Sequence, residues 1–199
     1  MKAYLDKTFP GLRAKARRMG AVIYFVDEAS VRSDSHRGTT WGKIGQTPEV
    51  QDSGDRFSLR LISAVSPRGD MKFTSFTGKM NGARFVDFVK KLQTDTGGPV
   101  IVIADNASYH TSGVVKRYVA DSKGQVTVAS LPRYSPELNP QEHVWDELRE
   151  KEFPNRVFDS IEGVLAQLNS GLPRLAANTQ ALRSLTAWPW IISLILKAS

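Results

Sequence analysis

Cysteine is absent from the 199 residues. That removes disulfides, thiolate zinc sites and cysteine nucleophiles together, and fits a reducing compartment. The first twenty residues hold no continuous apolar stretch of the kind a secretory signal needs. The most apolar run, Trp188 to Leu196, is too short to span a bilayer and has a helix-breaking Pro189 near its start. Internal repeats, low-complexity tracts and long linkers are missing as well. What remains, 41% hydrophobic and 24% charged residues, is ordinary for a globular domain and excludes collagen-like, coiled-coil and wholly disordered chains. A chain of this length buries about 70% of its unfolded surface and folds without staples. The expectation is a soluble, cytoplasmic protein with no membrane association.

Acids are unevenly distributed. Residues 171–199 carry Arg174, Arg183 and Lys197 with no Asp or Glu, and residues 1–20 carry Lys2, Lys7, Arg13, Lys15, Arg17 and Arg18 against Asp6 alone. The net charge of +7 is therefore concentrated at the ends, and the middle 150 residues sum to −1. Basic ends around a near-neutral body suit arms that hold a polyanion beside a body that needs its acids. The alternative is that Arg13 to Arg18 is one solvated helix face.

Two unbroken β-rich runs, Val22–Val26 and Val100–Ala104, end at Asp27 and Asp105. Continuous rather than alternating apolar runs indicate strands covered on both faces, as at the centre of an α/β sheet. Between them, Phe57–Val65 and Met71–Phe76 flank the turn Ser66-Pro67-Arg68-Gly69, a hairpin signature. Asn81 is placed to cap a helix whose apolar positions are Phe85, Val86, Phe88, Val89 and Leu92. Thr111 or Ser112 is placed to cap another, and Val126–Leu131 reads as a further strand. Three antiparallel leading strands followed by crossover units predict an α/β fold: a mixed five-stranded sheet flanked by helices, with a helical tail after residue 155.

Ligands of open α/β sheets bind beyond the carboxyl ends of the strands, where Asp27 and Asp105 would meet if their strands are parallel neighbours. Two close carboxylates repel, and a divalent cation offsets that repulsion. A third acid, Glu142, follows the stiff segment Pro132 to Pro140 in the first turn of a helix capped by Asn139. Asn139-x-x-Glu142 is also a capping-box-like spacing, in which Glu142 would serve only its own helix. Three carboxylates would form an oxygen site suited to Mg²⁺ or Mn²⁺ rather than zinc. Two such ions can activate water or a hydroxyl at a phosphodiester and stabilise the leaving oxygen.

The blocks Val-Asp27-Glu-Ala-Ser, Ile-Ala-Asp105-Asn-Ala-Ser-Tyr-His110 and Tyr134-Ser-Pro-Glu-Leu-Asn-Pro-Gln-Glu142-His-Val-Trp145 resemble, in order and spacing, the catalytic blocks of the mariner superfamily of DDE transposases, in its bacterial insertion-sequence branch. The short interval between Asp105 and Glu142, Arg37-Gly-Thr-Thr-Trp41-Gly, Gly45-Gln-Thr-Pro48 and Leu185-Thr-Ala-Trp-Pro-Trp190 add to the resemblance. It implies a ribonuclease H-like fold, two metal ions bridged by Asp27 and held singly by Asp105 and Glu142, hydrolytic nicking at transposon ends and attack of the freed 3′-hydroxyl on target DNA. Double-stranded DNA, a homodimeric partner copy and a nucleoid-associated location follow from the same resemblance. Such transposases usually carry helix-turn-helix modules before the catalytic domain, whereas about twenty basic residues precede the first strand here. The chain resembles the catalytic part alone. An inactive DNA-associating relic or another ribonuclease H-like nuclease are the alternatives.

The expected organisation is a basic arm or linker over 1–20, a catalytic domain over 21–155 and a helical extension over 156–199. Asn106 and His110 are candidates to support the metal carboxylates or orient a phosphate, with a turn residue and a locally bonded helix-start His as their bland alternatives. Lys15, Arg17, Arg18, Arg32, Arg37, Lys43 and Arg133 are candidate DNA contacts, with Trp41 stacking or packing beside them. Glu28 alternates away from Asp27 on an extended strand and is expected to face elsewhere. Trp145 is expected in the core.

Overall fold

The structure, a computed structural model, describes residues 1–32, 58–152 and 160–196. Five strands form one mixed sheet: β1 (Val22–Arg32), β2 (Ser58–Val65), β3 (Met71–Phe76), β4 (Val100–Ala104) and β5 (Val126–Ser130), in the order β3-β2-β1-β4-β5. β1 pairs antiparallel with β2 and parallel with β4. β2–β3 is antiparallel and β4–β5 parallel. This is the expected sheet, and the expected hairpin turn closes it, with Gly69 N–H donating to the Ser66 carbonyl at 2.9 Å.

One strand is longer than its apolar run. β1 continues past Asp27 to Arg32, because β2 extends the antiparallel ladder to Arg32↔Ser58 after β4 has stopped at Phe25↔Ile103. Asp27 therefore lies within a strand, just beyond the parallel seam, rather than at a strand end.

Strand alternation divides the core. Tyr24, Val26, Ile62, Ala64, Val102 and Ala104 face α2 (Gly82–Thr96) and α3 (Gly113–Asp121). Phe25, Leu59, Leu61, Val65, Ile101 and Ile103 face the other side. That side is covered by α1 (Phe9–Met19), α4 (Gln141–Glu152), α5 (Ile161–Ala177), α6 (Thr179–Leu185) and α7 (Pro189–Leu196). The five apolar positions expected of α2 are all buried, and Asn81 caps it by accepting from Arg84 N–H at 3.0 Å. Ser112 occupies the cap position of α3 without a side-chain bond.

The basic N-terminal stretch, expected as an arm or linker, is helical and packed. A turn of π-helix (Tyr4–Thr8) leads into α1, burying Tyr4, Phe9 and Ala16 in the main core. Phe9 lies edge-on to Trp190, with centroids 4.6 Å apart, and Trp190 in turn meets Phe25 at 5.9 Å. The C-terminal helices thus close over the same face of β1. No helix among the described residues is long and apolar enough to cross a membrane.

α6 also grips the hairpin turn: Arg183 Nε donates to the Arg68 carbonyl at 2.8 Å, and Gly69, at φ +88°, lies so close that an added Cβ would sit 2.5 Å from the Thr179 carbonyl oxygen. Gly69→Ala combines a disfavoured backbone with that clash. It should lower stability in urea unfolding by about 1–3 kcal/mol.

Candidate active site

Asp27 and Glu28 leave β1 on opposite faces. Asp27 shares the Phe25 face with α4, where the Trp145 indole N–H donates to its Oδ2 at 3.2 Å. Trp145 is in the core, as expected, but is 3% exposed with its polar edge aimed at this carboxylate. Burial first, and then the negative charge of Glu142, push the Asp27 carboxyl up to about 7. Asp27 and Glu142 are electrostatic neighbours across the β1–α4 boundary.

Glu142 is not occupied as a helix cap. Asn139 caps α4 by accepting from Gln141 N–H at 3.2 Å, but the Asn139 N–H that a capping box would offer to Glu142 donates instead to the Pro136 carbonyl at 2.8 Å. The turn Pro136–Leu138 thus satisfies locally what the Glu142 side chain would otherwise serve.

Asp105 follows β4, and its environment is set from the opposite face. His110, in a 3-10 turn over Ser108–Thr111, is 2% exposed and places Nδ1 2.9 Å from Asp105 Oδ1 and Nε2 3.1 Å from Glu28 Oε1. Burial alone would lower the imidazole. The bonds to Asp105 and Glu28 outweigh it and hold His110 at about 9, so both nitrogens are protonated at neutral pH. The His110 bond in turn keeps Asp105 below the usual carboxylate range, against the effect of burial, with help from Ala107 N–H at 2.9 Å. Tyr109 completes the group: its hydroxyl donates to Glu28 Oε2 at 3.0 Å and is raised by burial and then by the charges of Glu28, Asp105 and Asp27. All three acids lie within electrostatic reach of this one phenol.

Glu28 does face away from Asp27, as alternation requires, yet it still reaches the site by holding His110 from behind. Strand alternation alone does not predict that role, nor the part of Tyr109. The signal was present in the five-residue spacing from Asp105 to His110, which a turn folds back into contact. His110 is bonded to Asp105 and is 2% exposed. Asn106 does not support a carboxylate through its amide. Nδ2 donates to the Leu131 carbonyl at 2.6 Å, joining the end of β4 to the end of β5.

The candidate DNA contacts scatter. Arg17 and Arg18 sit in the last turn of α1, which leads through Gly20 into the Val22 end of β1, roughly 16 Å of extended strand from Asp27. Lys15 is half-buried on the same helix. Arg32 ends β1, Arg133 is exposed on the loop before α4, and Arg37, Trp41 and Lys43 lie outside the described residues.

The donor set fits a hard divalent cation: three carboxylates, two of them mutually repelling and one half withdrawn from water. The three are not drawn into one cage, however. Among the described residues no group of three or more His, Cys, Asp or Glu side chains is close enough to hold a metal ion.

A five-stranded mixed sheet with one acid on β1, one just past β4 and one on the helix after β5 has the ribonuclease H-like fold. Residues 22–164 match the family described as DDE superfamily endonuclease, and the chain belongs to that family. The Mos1 mariner paired end complex with Mn superposes with a TM-score of 0.62 at 18% identity, covering 90% of this chain and 60% of that one. The catalytic domain of Mos1 mariner transposase superposes with a TM-score of 0.53 at 17% identity, covering 90% of each chain. A Sinorhizobium fredii (strain NBRC 101917 / NGR234) protein, y4pE/y4sA, described as uncharacterized, is 29% identical over 96 residues, 48% of this chain and 67% of that protein. The chain thus spans about 60% of the length of the Mos1 chain in the paired end complex.

The two raised groups give stability the same pH dependence. Asp27, at about 7 when folded against an ordinary carboxyl value of 3.8, keeps a proton that the unfolded chain has lost, so stability falls as pH rises through that window. His110, at about 9 against 6.5, contributes stability that is full below 6.5 and lost as pH rises through 9. Asp27→Asn should raise the melting temperature more at pH 8 than at pH 5, and His110→Gln should flatten the decline between pH 6.5 and 9. Differential scanning fluorimetry across pH reads both.

Proposed function

We propose that this chain is the catalytic part of an insertion-sequence transposase, cutting double-stranded DNA at transposon ends and joining the freed 3′-hydroxyl to target DNA. The observation that carries the reading is the half-buried Asp27 carboxyl held beside Glu142 in a DDE endonuclease scaffold, where two negative groups are kept together against their repulsion.

Asp27, Asp105 and Glu142 would hold two Mg²⁺ or Mn²⁺ ions. When bound, such ions polarise the phosphate and lower the pKa of the attacking water or hydroxyl. The chain's own residues prepare the ligands. The Trp145 N–H fixes the Asp27 rotamer through Oδ2. His110 and the Ala107 N–H both engage Asp105 through Oδ1 rather than Oδ2. Pro136 relieves Glu142 of capping. Closing the three acids onto the ions requires them to draw closer together than they stand.

In the first step water attacks phosphorus and the bond to the 3′-oxygen breaks, leaving a 5′-phosphate and a 3′-hydroxyl. In the second that hydroxyl attacks a target phosphodiester and displaces its 3′-oxygen. No covalent enzyme intermediate is involved. Residues 21–155 serve as the catalytic unit, a partner copy and DNA-binding modules complete the assembly, and its place of action is the bacterial nucleoid.

Asp27→Asn, Asp105→Asn and Glu142→Gln should each abolish Mn²⁺-dependent cleavage by protein joined to a DNA-binding module, with DNA binding retained. Calorimetry should show two Mn²⁺ ions bound by the parent and fewer by each variant. Full activity in Glu142→Gln would return that residue to the helix cap.

A further inference from the structure

Tyr134 is distinguished by two independent observations. It is 96% exposed, more than any other large hydrophobic side chain among the described residues. Its backbone sits at φ +54°, in the left-handed region that a bulky residue occupies only at a cost. The ring contributes nothing to the core, and the strained backbone persists because the loop is pinned on both sides. Before it, Leu131 N–H donates to the Ala104 carbonyl at 2.8 Å, beside the strand end that Asp105 follows. After it, Leu138 is buried at 2% and Asn139 at 4%. Three residues past Leu131, Tyr134 is at most about 10 Å of chain from the residue bonded to that strand end. Its neighbour Arg133 is exposed as well.

An aromatic face held in the open by a fixed backbone, with a guanidinium adjoining it in sequence and candidate catalytic acids at the same sheet edge, suits a ligand that is both planar and anionic. We propose that Tyr134 is a stacking platform for an unpaired nucleobase of bound DNA, with Arg133 set against the adjoining phosphate. This rests on reading the chain as a DNA-cleaving enzyme and adds how it holds the substrate. A strand end supplies such a base, and aromatic stacking accepts any of the four.

The test uses the 199-residue chain at low salt and two DNA probes of equal length. One is a blunt duplex, and the other carries a 3′ overhang with 2-aminopurine. A third version of the overhang has an abasic site in place of that base. Glycine adopts positive φ freely, so Tyr134→Gly should melt at or above the parent temperature. It should nonetheless bind the overhang roughly 5- to 100-fold more weakly, the equivalent of one lost base stack, with the blunt duplex little changed. The abasic probe should remove the difference between parent and variant, and Tyr134→Trp should retain affinity and 2-aminopurine quenching. If Tyr134→Gly binds the overhang as tightly as the parent, or loses both probes equally, the stacking role is overturned while DNA binding stands. Loss of self-association with unchanged DNA binding would also overturn it, in favour of a contact between copies. A parent that binds neither probe would defeat the DNA reading itself.

Discussion

A buried positive charge with a carboxylate on each side joins the two central strands where the acids stand. His110 reaches Glu28 on β1 with one nitrogen and Asp105 beyond β4 with the other, at a level of the sheet where the parallel ladder has already ended. Past Phe25↔Ile103 the β1–β4 register has ended, and the imidazolium links the two chain segments there. Isolated, such a cation would be costly to bury. Two anionic partners offset that cost, and removing either would leave a charge without its counterpart. Tyr109, bonded to Glu28, closes the group from the side.

Strand alternation separates the adjacent acids of β1 into different roles. Asp27 faces α4, meets the Trp145 indole and feels the charge of Glu142. Glu28 faces the α2–α3 layer and supports His110. The site is therefore built from both faces of the sheet: one carries Asp27 beside α4, and the other holds Asp105 through His110. Because the supporting side is buried and ion-paired while Asp105 itself is 56% exposed, the outward oxygens keep access to solvent.

The sheet and its order were legible because the apolar runs 22–26 and 100–104 are continuous and the hairpin carries its own turn residues. The length of β1 was not, since residues 27–32 are held by pairing with β2 rather than by an apolar pattern. The helix over Phe9–Met19 was open only as the alternative reading of Arg13–Arg18, and its buried side was not marked, although Phe9 and Ala16 lie seven positions apart on one face and both are buried. Two plausible local roles were separated only by atoms outside the motif. Pro136 takes the amide that would have made Glu142 a cap, and Leu131 takes the amide of Asn106. The contribution of Glu28 depended on a turn folding His110 back across the sheet, which spacing suggests but does not determine.

The indole that bonds Asp27 makes the protein its own optical sensor. Trp145 is enclosed, with its ring nitrogen 3.2 Å from the carboxylate oxygen whose charge is in play, so its emission should change colour whenever that charge is neutralised. Loading of the acidic centre could then be followed by light, without a label and without waiting for a strand of DNA to break.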